Sequence, residues 1–329
     1  MPSDLVRSRA VVWLGLLPII IIAVYSAFFH RAASSTSTFS TSNTHDQQRP
    51  DNMAGQQLRG FVLNPRVFNA SLYKSIHDVW FGGLPIHAVN AAAPTQEMAM
   101  RWFAGGKAFD AQCVAAGAEA LDAIGPGRLA LPKFTTVQED RAHYADMARP
   151  FASHYDTAAA AAGKDAATNG AGAGADGTTN AGTNALSIIL LLDQLSRNVY
   201  RQDQGLIYGH YDRLARAVSQ DVRARQVLEG PGFSDVQRYW LYMPLMHSED
   251  LADHEEFDVY IRQKIAQAEQ AGDEAAVGSL RNSLDFGRRH MEIIRKFGRF
   301  PHRNKWLGRE PTKQETAYLE GGGETFGSG

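Results

Sequence analysis

From Ala185 to Leu192 the chain is almost continuously apolar, and the run passes directly into Asp193-Gln194-Leu195-Ser196-Arg197-Asn198. A helix through such a stretch is buried on most sides, so it must sit among other helices and hold its polar end against them. Apolar positions within residues 290–297 recur at three and four, again the helical period. Ser234 with Gln237, and Thr312 with Glu315, have the capping-box spacing that opens a helix. No run alternates apolar and polar residues over the length of a strand, and no Asn-Gly pair joins two apolar segments. The expected fold class is therefore all-α.

Two segments stand apart from this pattern. Residues 10–30 form an apolar run in which Ala10 to Phe29 carries no charged side chain. At 1.5 Å per residue, 20 helical residues span a hydrocarbon core of about 30 Å. The run predicts an N-terminal transmembrane signal anchor after a short cytoplasmic tail, residues 1–9, and thus a single-pass membrane protein. The Arg-bearing, acid-poor and Ser/Thr-rich surroundings fit a mitochondrial or other organelle-targeting segment equally. Residues 31–66 are polar and predict a linker, and the sequon Asn69-Ala70-Ser71 would suit a lumenal domain. Residues 158–185 are a low-complexity Ala/Gly/Asn tract, expected as a disordered loop inserted into a single helical domain over 67–320. A flexible tail, 321–329, completes the organisation.

Composition excludes the extremes. With 44% hydrophobic and 21% charged residues and a formal net charge of -2, the chain is neither disordered nor a polytopic membrane protein, and nothing global points to nucleic acid. Cys113, the one cysteine, rules out an intramolecular disulfide framework. The average conceals a basic segment, however. Residues 281–309 hold seven Arg and two Lys against Asp285 and Glu292, a formal +7, interleaved with Phe297, Phe300, Pro301 and Trp306. An acidic counterpart, Glu249, Asp250, Asp253, Glu255, Glu256 and Asp258, lies just upstream. These two stretches either neutralise each other or leave guanidinium groups beside apolar surface, where they make planar sites for carboxylate or phosphate.

The chemistry-bearing blocks are Asp193 to Asn198, Met243-Pro244-Leu245-Met246-His247-Ser248-Glu249-Asp250, and Phe297-Gly298-Arg299-Phe300-Pro301-His302-Arg303-Asn304 with Leu307-Gly308-Arg309. In order, and with Val79-Trp80-Phe81-Gly82 and Arg101-Trp102-Phe103 ahead of them, they resemble the signature of a largely bacterial family, domain of unknown function 924. The resemblance runs from about Ile76 to Leu319. It implies an all-helical, tetratricopeptide-like array and no assigned activity. The apolar N-terminus and the Ala/Gly tract fall outside that pattern, and His254 stands where the family pattern leads one to expect Gln.

Two functions compete on these residues. One is a binding module presenting Asp193, Arg197, Asn198, Arg299, Arg303 and Arg309 to an anionic peptide or small metabolite. The other is a metal-independent enzyme with hydrolase-like acid/base chemistry, for which His247, Glu249 and His302 are the candidate catalytic groups. His247, Asp250 and His254 could share a face, but no His-Glu-x-x-His or Cys-pair pattern accompanies them, so no metal is expected. Neither a phosphate loop nor a dinucleotide fingerprint is present, so no cofactor is expected. All these groups could equally be caps and ion pairs that fix helix register.

Overall fold

The computed structural model describes residues 58–83, 93–134, 136–156, 177–229 and 232–326, and for 177–180 the backbone alone. Among the described residues every regular element is helical and no strand occurs. Local chemistry sets many boundaries. Asn69 caps α1 (Ala70–Phe81) by accepting from the Ser71 and Leu72 amides, and Gly82 ends it in the left-handed conformation. The sequon asparagine is thus a helix cap, and its Nδ2 donates to the Arg66 carbonyl. Thr95 caps α2 (Gln96–Ala104), and α3 (Gly106–Ala123) follows it. A capping box at Thr136 and Glu139 opens α4 (Val137–Ala142), followed by α5 (Tyr144–Ala152).

The apolar run lies at the centre. α6 (Gly177–Ile189) continues into a π-helical turn, Leu190–Leu195, and then α7 (Ser196–Val199). A single helical turn, Gln204–Leu206, runs into a second π-helical turn, Ile207–Tyr211, which precedes α8 (Asp212–Ala224). The remaining helices are α9 (Asp235–Met246), α10 (Leu251–Ala271), α11 (Glu274–Phe297) and α12 (Lys313–Glu320). Both capping boxes read from the sequence are formed, at the starts of α9 and α12. α7 packs on α3, α8 lies against α5 and α9, and α10 and α11 form a long hairpin turning at Gly272 and Asp273. Trp80 stacks on Trp102 at 5.8 Å and meets the edge of Trp240 at 4.9 Å, while Trp102 Nε1 donates to the Trp80 carbonyl. The opening aromatic motifs are therefore core.

Several expectations need correction. Leu58 and Leu63 are buried in the core, so the linker does not reach residue 66; the polar composition around these two leucines conceals them. The loop expected over 158–185 is helical from Gly177, and its part up to residue 176 lies outside the described residues. Small residues there have a packing cause: a Cβ on Gly182 would lie 2.4 Å from the Phe233 ring. The tail expected to be flexible is docked as far as Phe326, with Glu324 accepting from Arg289 at 2.6 Å. Finally, among the described residues no helix is long and apolar enough to cross a membrane. That corrects the expected single-pass membrane localisation, which finds no spanning helix here. The run 10–30, with the rest of residues 1–57, lies outside the described residues.

Candidate functional site

Both π-helical turns border one polar cluster. Such a turn places one extra residue in the helical repeat and re-aims the side chains after it, and it occurs often at functional sites. The first carries Asp193, which is fully buried. Its Oδ1 lies 2.8 Å from His247 Nδ1 at the end of α9, and its Oδ2 accepts from Gln194 Nε2 at 2.5 Å. Arg197 approaches Asp193 only to 4.0 Å and donates instead to Asp212 Oδ1 at 2.6 Å, across from the second π-helical turn. Asp212 Oδ2 is 3.7 Å from Arg303, whose Nη1 also donates to the His247 carbonyl at 2.9 Å. The Arg303 guanidinium lies between two rings, 4.4 Å from the Tyr208 centroid and 4.5 Å from that of Phe300.

Glu249 closes the far side. It accepts from the Phe300 amide at 2.9 Å and from both terminal nitrogens of Arg309 at 2.6 and 2.9 Å. The 3₁₀ turn Pro301–Arg303 is thereby clamped onto the chain that precedes α10. Asp193, Arg197, His247, Glu249, Arg303 and Arg309 thus form one connected network, with His302 beside it against Tyr208 and Phe300. Asn198 and Arg299 stand apart. Asn198 donates to the Gln194 carbonyl and accepts from Arg201, and Arg299 makes a bidentate pair with Glu315 at 2.6 and 2.9 Å.

Electrostatics separates the candidates. Burial opposes ionisation of Asp193, but the pull of His247 and Arg197 and the hydrogen bonds to it prevail and hold its pKa below the ordinary carboxylate value. Glu249 behaves alike: burial is outweighed by the Arg309 hydrogen bond and the nearby guanidinium charges. With both oxygens engaged, it is a clamp rather than a free acid. Burial lowers the pKa of His302 to about 3 and of His254 to about 4, and places that of His290 well below its ordinary value. These imidazoles are neutral at pH 7. His254 Nε2 donates to the Ser248 carbonyl, so the residue in place of the expected Gln ties the start of α10 together. Arg303 is also lowered, chiefly by burial, whereas the carboxylates around Arg197 raise it against the same effect.

His247 alone among the candidate histidines keeps a partly exposed side chain, 16% accessible. Among the described residues its Nε2 makes no hydrogen bond. A carboxylate on Nδ1 fixes the tautomer, with the proton on that nitrogen and a lone pair on Nε2. Among the described residues no group of three or more His, Cys, Asp or Glu is placed to hold a metal ion.

Sequence reasoning missed Asp212 and Tyr208, and a second network beneath the first. There Arg141 joins Asp250 and Asp253 at 2.8 and 2.5 Å, and Asp140 holds Arg213 and Arg216. Their partners are far apart in sequence, which leaves no periodic trace.

The sequence pattern of a family described as "Bacterial protein of unknown function (DUF924)" matches residues 76–323. A solved structure of a protein of unknown function from Agrobacterium tumefaciens is 26% identical and covers 65% of this chain and 98% of that one, with a TM-score of 0.33. No curated protein matches the chain.

Proposed function

The chain belongs to that bacterial family of unknown function, so its activity has to be read from the site, and we propose an enzyme in which His247 transfers a proton. The observation that carries this reading is the Asp193–His247 pair. A buried carboxylate holds Nδ1 at 2.8 Å, and Nε2 of this partly exposed side chain makes no hydrogen bond among the described residues. Asp193 is a positioning residue, Arg197 balances its charge, and Arg303 fixes the His247 backbone. The reaction class that suits a lone oriented imidazole is acid/base chemistry on a polar bond, as in hydrolysis or elimination. The tetratricopeptide-like arrangement belongs to this proposal as well; helical hairpins such as α10–α11 support it.

The anion-binding module has less behind it. Arg299 and Arg309 are each held bidentately by a carboxylate of the chain itself, and an anionic ligand would have to displace that carboxylate.

The test is a panel of ester, amide, phosphoester and elimination substrates offered to the full chain, to His247→Ala and to Asp193→Asn. General acid/base catalysis contributes about 10²- to 10⁴-fold, and His247→Ala is expected to lose that much of any turnover found. Turnover that persists in His247→Ala with unchanged helicity refutes the reading.

A further inference from the structure

The C-terminal segment fills an aromatic box that the family pattern does not itself close. Phe286 and His290 from α11, with Phe300 and His302 from the turn after it, surround one ring, that of Phe326. His290 stacks on it at 3.4 Å between centroids and 12° between planes, and the other three rings meet it edge-on at 5.6 to 6.4 Å. Phe300, His290 and His302 are buried, yet Phe326 is only half-buried. The match to the family ends at Gly323, so the four walls lie inside it and the ring between them lies outside.

Phe326 is held there by little else. It sits at φ +50°, in the left-handed region that a bulky residue rarely adopts. Three glycines, Gly321, Gly322 and Gly323, connect it to α12. The tether's polar ties are the Gly322 and Gly323 amides donating to the Leu319 and Tyr318 carbonyls, the Glu324 amide donating to the Tyr318 hydroxyl at 2.8 Å, and the half-exposed Arg289–Glu324 pair, which salt weakens. Meanwhile His302, one of the four walls, has its Nδ1 buried with no hydrogen-bond partner. An apolar ring satisfies the box's shape but not that nitrogen.

We infer that this box is a binding site for the aromatic group of a small ligand, occupied in cis by Phe326, so that ligand and tail compete. The box adjoins the His247 cluster through Phe300, whose amide is held by Glu249 and whose ring carries Arg303. Nothing in it depends on proton transfer at His247. A ligand ring bearing a hydrogen-bonding substituent reaches His302 Nδ1 as Phe326 cannot. Release of the tail breaks the Glu324 ties to Tyr318 and Arg289 and leaves the capping box that opens α12 in place.

The test measures binding of N-acetyl-L-phenylalaninamide and of phenol, by calorimetry and by the imidazole NMR signals of His290 and His302. It uses the full chain, Phe326→Ala and a chain ending at Gly323. Both altered proteins are expected to bind at least one probe ten-fold or more tightly than the full chain, with the two histidine signals shifting. Two results overturn the inference. One is equal or absent binding in altered proteins that keep their helicity. The other is unfolding of both, which would make Phe326 an ordinary core residue.

Discussion

Asp212 offers the sharpest energetic test, because one buried carboxylate serves two guanidinium groups. It is 1% exposed and lies 2.6 Å from Arg197 and 3.7 Å from Arg303. At an effective dielectric of about 20, those separations correspond to roughly 6 and 4 kcal/mol of gross attraction. Desolvating the three ions offsets most of this, so the pair adds little net stability over an apolar replacement. Removing the carboxylate alone is a different matter, for it leaves Arg303 buried between two rings with no carboxylate within 4.0 Å and only the more distant charge of Glu249. Asp212→Asn is therefore expected to cost about 3 to 5 kcal/mol, or roughly 6 to 20 °C in Tm for a domain of this size. Arg303→Met forfeits the hydrogen bond to the His247 carbonyl and two ring contacts, at about 2 to 4 kcal/mol. In the double variant no unpaired cation remains beside the substituted carboxylate, since Arg303 is gone and Arg197 is partly solvated. Its cost should fall short of the sum of the single costs by at least about 1 kcal/mol. Urea midpoints, with m-values checked for constancy, measure all three. Additivity within about 0.5 kcal/mol, or a loss below about 1 kcal/mol for Asp212→Asn, refutes the shared-carboxylate argument.

The geometry sets three further outcomes. His254 titrates near 4 when folded and near 6.5 when unfolded, so the unfolded chain binds the extra proton, and stability is complete above 6.5 and lost as pH falls toward 4. His254→Gln keeps a donor to the Ser248 carbonyl and should flatten the stability curve between pH 6.5 and 4; an unaltered slope in acid titration would count against it. The Arg299 hydrogen bond holds Glu315 at a pKa of about 2, below its ordinary 4.5. The folded carboxylate contributes up to about 3 kcal/mol above pH 4.5 and loses it as pH falls through 2, and Arg299→Met should shrink that acid-dependent increment, the hydrogen bonds from Thr312 keeping the remainder. A Cβ on Gly287 would lie 2.6 Å from the Phe257 ring, where α11 crosses α10. Gly287→Ala should therefore destabilise by about 1 to 3 kcal/mol despite its better helix propensity, as thermal unfolding would measure.

Local rules carried the sequence a long way. The helices opened by Ser234 and Thr312 begin where hydroxyl and Glu/Gln side chains three apart satisfy each other's amides, an interaction that needs no tertiary context. The burial of Leu190, Leu191 and Leu192 is equally local in origin. Glu249 and Asp250 are neighbours in the acidic stretch but part in the fold: Asp250 is the N-cap of α10, and Glu249 precedes it, bound to Arg309 sixty residues away. Asp193 and Arg197 do share a face, yet the π-helical turn between them shifts the geometry so that Arg197 takes Asp212 as its closer partner. Nothing in residue spacing marks such a turn, because the extra residue is accommodated by burial on every side rather than by any one side chain. The pairing of Arg141 with Asp250 and Asp253 is invisible for a related reason: only the completed packing of α4 against the start of α10 brings those charges together.

The basic segment is where charge arithmetic alone misleads. Each of the seven arginines between 281 and 309 has a carboxylate of the same chain within 4.0 Å, namely Glu269, Asp258, Glu324, Glu292, Glu315, Asp212 and Glu249 in order. Only Asp258 and Glu249 come from the acidic stretch upstream; Glu292 belongs to the segment itself, and the other four arrive from elsewhere in the fold. A formal +7 in the sequence is therefore largely compensated in space, arginine by arginine. An external carboxylate or phosphate would compete with tethered ones that lose no translational freedom on binding. A ligand that carries little charge, the kind proposed for His247 and for the aromatic walls that Phe326 occupies, meets no such competition. Steep salt dependence of binding, the signature of phosphate contacts, should accordingly be absent.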